Sequence, residues 1–393
     1  MSHLPDKPIV LNALCVGSGG NATLAKALPK EFSRLGRKTT LLLTTDKALH
    51  VEISHHFDGH DDVDVHWAPA ETANRITRLS WERKTLPGWL RERDALAILQ
   101  LNGMAVLGLR WPTLAHLGDP WPYLPVAYTA LKHHFIAFGR RRAHRHSLRR
   151  AETTPYINAS FTSNFLRDLI AQNHGPAARS MPVFYNGLPD HLIDTSSDQD
   201  VALDQREPMV LTVSNVSRYK RQEMIIKALR LIPNEIDGKP LRYHIIGWCN
   251  PAYKTSLEKL IRELKLEERV VLEGRVGDER LAEAYKTARV MAFLSVCESF
   301  GIPIVEAQSR GTPVVVSNEA ALPEVAGDGA IIADADTPEA AAAAIRKAFE
   351  ADASLIARGR ENIKRFRWHD TAKGMVAEMD RLHAAFVQLN LSS

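Results

Sequence analysis

The chain has 393 residues, 45% of them hydrophobic and 24% charged, and carries a net charge of +4. This composition suits a globular protein of two or three domains and excludes collagen-like, low-complexity and disordered classes. The three cysteines, Cys15, Cys249 and Cys297, are far apart, odd in number and without metal-ligand spacing, so neither a disulfide frame nor a zinc site is expected. No apolar run reaches about 18 residues, and the first residues lack a basic, apolar leader, so a reducing cytoplasmic location is expected.

In chain order, "PIVLNALCV" reads as a buried strand, "GSGGNA" as a turn, Thr23 to Leu35 as a helix and "KTTLLLTTD" as the next strand. Strand, helix and strand at this spacing imply a parallel sheet. "VDVHWAP", "DALAILQLNG" and "TTPYINAS" continue the series. The polar segment 190–208 reads as a linker. The pattern then restarts: "MVLTVSNVS", a helix from Arg221 to Ile232, "LRYHIIG", "YKTSLEKLIRELKL", "RVVLEG", "DERLAEAYKTA", "VMAFLS", "PVVVS", "AIIAD" and "TPEAAAAAIRKAFEAD" alternate as strands and helices. The fold class expected is α/β, with two Rossmann-like, doubly wound parallel-sheet domains at 1–189 and 209–370. A terminal helix at 371–393 is expected to cross back to the first domain. Such a pair leaves a cleft at the carboxyl ends of its strands, the natural place for a ligand.

The stretch "CESFGIPIVEAQSRGTPVVVS" places two glutamates eight positions apart around a Phe-Gly-Ile-Pro turn. Pro303 suits the first turn of a helix and Gly311 the position past its end, so a helix is expected over about 303–310. Glu298 then belongs to the arriving loop and Glu306 to the helix. Gly301 permits close approach of a ligand, and the free amides at the helix start offer an anion site. Glu306 is placed to accept hydrogen bonds from a vicinal diol such as a ribose. The alternative is a solvated loop glutamate and a capping one.

Taken in order, "SNVSRYK", "HIIG", "VVLEGRV", "LAEAYKTARVMAFLS", "ESFGIPIVE", "RGTPVVVS" and "LPEVAGDGA" resemble the retaining, nucleotide-sugar-dependent glycosyltransferases of the GT-B fold, the group numbered family 4. The resemblance is densest from about Val210 to Ala341. "GSGGN", "GDPWP", "ASFTSNFLRD" and "FYNGLPD" match more loosely. The resemblance implies that Glu306 binds the ribose hydroxyls and that Phe300, Gly301 and Ile302 hold phosphates through their backbone. It further implies that Lys220 pairs with the diphosphate, Glu298 faces the transferred sugar, and Gly274, Arg275 and Val276 receive the nucleobase. Gly19 and Gly20 would close over the sugar phosphate, and Asp119, in the segment that resembles the family's His-Asp-x-Trp-Pro, would be catalytic with Glu298, Lys220 and Arg218. Two positions depart from the pattern. Asn215 stands where the family has arginine, with Arg218 in the same turn as a substitute charge, and Gly118 stands where a histidine precedes Asp119, with His116 two positions upstream.

The chemistry implied needs those residue types. Cleaving a sugar–phosphate bond puts negative charge on the leaving diphosphate and positive charge on the sugar, and a preorganised clamp of Lys220, Arg218 and the amides near Gly301 stabilises the former. No metal or other cofactor is then expected, the nucleotide sugar being a substrate. The Asp62/Asp64 and Asp334/Asp336 pairs read as surface acids. Retention by front-face attack, with the leaving phosphate taking the acceptor proton, is what the resemblance implies.

On the acceptor side, residues 132–150 hold no acid, and Leu131, Phe135 and Phe138 fall at helical spacing. An amphipathic basic helix there is expected to meet an anionic membrane surface or a lipid-linked or charged glycan acceptor, with a solvated helix as the alternative. Interleaved stacking aromatics are missing, so no nucleic-acid partner is expected. Trp81 and Trp89 read as core or as an acceptor loop. The acceptor expected is a glycan or lipid, in bacterial polysaccharide or lipopolysaccharide assembly, at the cytoplasmic side of the membrane. Rival readings are a dehydrogenase, from "GSGGNA" and Asp46, a non-hydrolysing sugar-nucleotide epimerase, a phosphorylase-like enzyme and an inactive nucleotide-sugar-binding protein.

Overall fold

The chain alternates apolar strands with amphipathic helices twice over, and each series closes into its own parallel sheet. The computed structural model describes residues 7–17, 20–44, 48–101, 103–128, 131–188, 190–193, 201–334 and 336–392. Gly19, Asp46 and residues 194–200 of the expected linker lie outside the described residues.

The first unit takes the chain up to Gly187 and from Trp368 onward. Its strands are β1 (Ile9–Asn12), β2 (Thr39–Thr44), β3 (Val63–Ala68), β4 (Ala97–Gln100), β5 (Thr113–Leu117) and β6 (Ile157–Phe161). Its helices are α1 (Gly20–Arg34), α2 (Ala48–His55), α3 (Arg75–Lys84), α4 (Leu86–Glu92), α5 (Leu131–Thr153) and α6 (Asn164–His174). The strand order is β3-β2-β1-β4-β5-β6, every pairing parallel, so the winding reverses between β1 and β4.

Alternate residues of β1 feed opposite cores. Ile9 and Leu11 pack with Leu24, Leu28 and Phe32 of α1, whereas Val10 packs with Trp81, Trp89 and Leu90. Each such buried side chain contributes on the order of 2 kcal/mol. Trp81 and Trp89 therefore belong to the core, on helices rather than a loop. Strand β5 had no separate sequence signal, because "TLAHL" is short and interrupted by His116. Neighbours on both sides supply its hydrogen bonds.

The second unit spans Leu188–Arg367. It opens with the short α7 (Asp190–Ile193). Then follow β7 (Glu207–Val213), α8 (Gln222–Ala228), a hairpin of β8 (Glu235–Ile236) and β9 (Lys239–Pro240), β10 (Arg242–Ile246), α9 (Pro251–Glu263) and β11 (Val270–Gly274). After α10 (Asp278–Thr287) come β12 (Ala288–Phe293), α11 (Ile302–Ser309), β13 (Val314–Ser317), α12 (Leu322–Ala326), β14 (Ala330–Ala333), α13 (Pro338–Phe349) and α14 (Ala353–Ile363). The sheet order is β11-β10-β7-β12-β13-β14, again parallel throughout, with its reversal between β7 and β12.

The last helix, α15 (Trp368–Leu391), is part of the first unit: Trp368, Met375 and Met379 lie in the same core as the α1 residues. It begins three positions before the expected boundary.

Helix α5 holds Phe135 and Phe138 outward. Its buried face is Ala137, His144, Ser147 and Leu148, whereas Phe135 and Phe138 are 70% and 61% exposed. The neighbours of α5 accept its small and polar residues, so the two phenylalanine rings stay exposed.

Candidate functional site

In a doubly wound sheet, ligands meet the carboxyl ends of the strands where the winding reverses, since the following loops diverge there and expose free amides. In the second unit that place lies beyond β7 and β12, and the loops leaving those strands carry Lys220 and Glu298. Lys220 ends a turn of 3₁₀ helix, Arg218–Lys220, and the next residue, Arg221, adopts a left-handed backbone with φ 54°. The Tyr219 carbonyl accepts hydrogen bonds from the Val296 amide at 2.8 Å and from the Ser295 hydroxyl at 3.2 Å. These bonds stitch the two loops side by side. The Lys220 ammonium then donates to Glu298 Oε1 in an ion pair whose side chains are 11% and 14% exposed. It also lies 5.2 Å from the Tyr219 ring and 5.0 Å from the Phe293 ring. Burial opposes the charge on Lys220, but the Glu298 carboxylate and the Tyr219 hydroxyl hold its pKa above the usual lysine value.

Gly301 follows with φ 107°, a left-handed conformation that disfavours a side chain. A Cβ there would stand 3.0 Å from Ile304 Cδ1 and 3.1 Å from Leu322 Cδ2. Helix α11 begins at Ile302, one residue before the expected start, with Pro303 in its first turn. Phe300 is buried edge-on against Phe366, at 5.1 Å between ring centroids.

Glu306 lies on α11, and the Tyr285 hydroxyl of α10 donates to its Oε2 at 2.7 Å. Burial pushes the Glu306 carboxyl above the ordinary glutamate range, with the Tyr285 hydrogen bond and the Arg310 guanidinium acting the other way. Burial beside that carboxylate raises the Tyr285 hydroxyl well above its usual value.

Gly274 ends β11 with φ 72°, and its carbonyl accepts the Gly247 amide at 2.7 Å. The preceding Glu273 is held by His244 at 2.6 Å and by Arg280 at 3.0 and 2.7 Å. Arg275 is exposed and Val276 packs at the edge of a core cluster.

The structure thus brings Lys220 and Glu298 into contact, and it separates Arg218 from them. The Arg218 guanidinium sits 5.9 Å over the Tyr253 ring of α9, and its side chain lines a surface recess with Glu223, Lys227 and Lys259. It touches neither Lys220 nor Glu298. The Asn215 carbonyl accepts from Gln222 at 3.2 Å.

In the first unit, Gly20 opens α1 beside Asn186, whose Oδ1 is buried and has no hydrogen-bond partner among the described residues. Asp119 follows β5; it accepts from the Trp121 amide at 3.2 Å and from Arg140 at 2.6 Å. His116 does not replace the residue at Gly118. Its ring is buried and bonded to the Ser160 hydroxyl at 2.9 Å, and burial lowers its pKa to about 4. Of the two Asp-x-Asp pairs, Asp62 accepts from the Ser33 hydroxyl and Asp336 pairs with Arg221.

Sequence reasoning missed Tyr285, which reads as one more apolar position of an amphipathic helix, and Gly247. A Cβ on Gly247 would lie 2.0 Å from the Ser214 carbonyl oxygen, so this glycine lets the ends of β10 and β7 come together. Its φ of 143° was the only other signal, and that is invisible without coordinates.

Residues 194–366 match the model of the glycosyl transferases group 1. The O-antigen chain mannosyltransferase B of Escherichia coli is 33% identical over 168 residues, 41% of this chain and 42% of that protein. The chain spans less than half the length of this and other curated relatives. Sucrose-phosphate synthase from Thermosynechococcus elongatus superposes with a TM-score of 0.77 at 19% identity, covering 96% of this chain and all of that one. Anabaena HepE in complex with UDP and glucose gives 0.71 at 19% identity, over 94% and 98% of the two chains. These structures establish the GT-B fold.

Proposed function

We propose, from the premise that this chain belongs through residues 194–366 to the glycosyl transferases group 1, that it transfers a sugar from a nucleoside-diphosphate donor to an acceptor hydroxyl. The observation that carries this reading is the buried Lys220–Glu298 pair at the reversal point of the second sheet, ahead of the Gly301-headed helix α11. Lys220 is paired to the loop that leads into the start of that helix, and a cation and helix amides are the groups that would neutralise a departing diphosphate. In this reading Lys220 neutralises the departing diphosphate, Glu298 faces the transferred sugar and Glu306 receives the ribose. The backbone of 300–302 holds phosphate, and Gly274, Arg275 and Val276 border the base. Arg218, turned toward Tyr253, contributes to the general positive field rather than to direct contact. Neighbouring structures hold UDP and glucose, which supports a nucleotide-sugar donor.

The finer parts of the proposal are retention of configuration, catalysis without a metal, and an acceptor in bacterial surface-polysaccharide or lipopolysaccharide assembly on the cytoplasmic side of the membrane. Helix α5 supports the membrane part. Phe135, Phe138, Arg142, Arg145 and Arg149 recur at spacings of three and four along an exposed stripe. That stripe suits an anionic lipid surface, where apolar rings enter the interface and guanidinium groups meet headgroups.

Incubation with UDP-, GDP-, ADP- and dTDP-sugars, read by released nucleoside diphosphate, tests the reading. Slow donor hydrolysis is expected. Interconverted sugars would indicate an epimerase, and binding without turnover an inactive nucleotide-sugar-binding protein.

A further inference from the structure

Glu306 has one oxygen engaged and one open. Tyr285 donates to Oε2 at 2.7 Å, and among the described residues Oε1 has no hydrogen-bond partner. The ring of Tyr285 is 4% exposed and its hydroxyl has no other acceptor among the described residues, so neither group of the pair satisfies itself elsewhere. Its backbone is fixed as well: the Tyr285 carbonyl accepts the Thr312 hydroxyl at 2.6 Å, and Thr312 accepts from the buried Arg206 at 2.9 Å. The ring is thus tied to the residues just past the end of α11, the helix that carries Glu306.

We propose that Tyr285 is a positioning residue for nucleotide recognition: by occupying Oε2 it fixes the carboxylate plane and presents Oε1 alone to the two hydroxyls of a ribose. This inference rests on reading Glu306 as the ribose acceptor. The physical reason is rotational. A carboxylate turns freely about its terminal torsion unless one oxygen is held. One carboxylate oxygen has two lone-pair directions, enough for both hydroxyls of a vicinal diol. With Oε2 taken, the diol is read on one atom and the carboxylate cannot swing away. The neutral donor at Oε2 also offsets part of the burial penalty on the charged form, which keeps Oε1 an acceptor.

The test is Tyr285→Phe, which keeps the ring in the core. Binding of UDP, GDP and ADP is compared with binding of their 2′-deoxy forms by calorimetry, and donor KM and kcat are measured on the same protein. The wild type is expected to favour the ribonucleotide. The variant is expected to lose about tenfold in ribonucleotide affinity and most of that preference, with the loss appearing in KM while kcat stays within about twofold. Unchanged preference and KM in the folded variant overturn the proposal. So does an equal loss for ribo and deoxy forms, which marks a merely structural role. Glu306→Gln separates the underlying reading from this one: normal ribonucleotide affinity in that variant, together with no preference in the wild type, removes Glu306 from ribose recognition altogether.

Discussion

Lys220 and Glu298, 78 positions apart in the chain, form a buried ion pair across the reversal point of the second sheet. Breaking a buried pair by removing one partner leaves an uncompensated charge, at a cost of about 3 kcal/mol or more. Lys220→Ala is therefore expected to lower stability by that order in urea unfolding. The Lys220→Ala/Glu298→Ala double variant should lose less than the sum of the singles. If the lysine also clamps the leaving diphosphate, turnover per folded molecule falls on the order of a hundredfold or more. Wild-type turnover in Lys220→Ala would confine the residue to a structural role.

Two glycines are expected to resist substitution to different degrees. Gly247→Ala drives a Cβ to within 2.0 Å of a backbone oxygen at φ 143°. Gly301→Ala meets only the flexible ends of Ile304 and Leu322, at φ 107°. Gly301→Ala should cost about 1–3 kcal/mol from backbone strain, and Gly247→Ala more, because backbone cannot step aside as a side-chain tip can. Calorimetric melting of the two variants checks the order; equal or reversed losses would contradict it.

The first unit should weaken in mild acid. Burial lowers the pKa of both His116 and His144 from 6.5 to about 4, so both are neutral in the fold. Between those values the unfolded chain takes up protons that the folded chain refuses. Stability is therefore full above about pH 6.5 and declines until about pH 4, by up to about 3 kcal/mol for each residue. Urea midpoints measured at pH 7 and pH 4.5 test the slope, and His144→Phe should flatten about half of it.

Vesicle flotation addresses the α5 stripe. Replacing Arg142, Arg145 and Arg149 with serine is expected to weaken binding to phosphatidylglycerol vesicles by about a hundredfold, at roughly 1 kcal/mol for each arginine near an anionic surface. That loss should shrink as salt rises. Replacing Phe135 and Phe138 with serine should reduce binding in a salt-independent way. Failure of the wild type to float with anionic vesicles would leave α5 a solvated helix.

Nucleotide affinity should decline on acidification at a higher pH than an ordinary glutamate would dictate. Burial favours the protonated form of Glu306, and a proton on the open oxygen removes one of the two acceptor directions a diol uses. If Glu306 receives the ribose, protons compete with it as pH falls through the raised pKa. Calorimetric titration with UDP from pH 8 to pH 5 follows this, and Glu306→Gln should abolish the dependence.

The elements of both sheets were legible wherever apolar runs and helical periods are local signals, and the sequence placed Glu298 on a loop and Glu306 on the helix beyond it. Strand β5 was not legible, because its five residues are interrupted by His116 and depend on β4 and β6 for their hydrogen bonds. Helix α14 was missed as well; its short amphipathic run is ordered by docking, with Gly359 against Gln308 and Asn362 bonded to Gln308 and the Val325 carbonyl.

What the sequence by itself determined was the period of each segment, the punctuation of the turns and the residue types on the loops that follow the strands. Tertiary structure alone decided which of those residues meet. Lys220 finds Glu298 because β7 and β12 pair as neighbours, Arg218 goes to Tyr253 because α9 passes its turn, and Glu306 is half-claimed by Tyr285 because α10 packs beside α11. The physical reason is range. Torsional preference and hydrophobic period act over a few residues, whereas an ion pair or a buried hydrogen bond exists only after distant segments have been packed together.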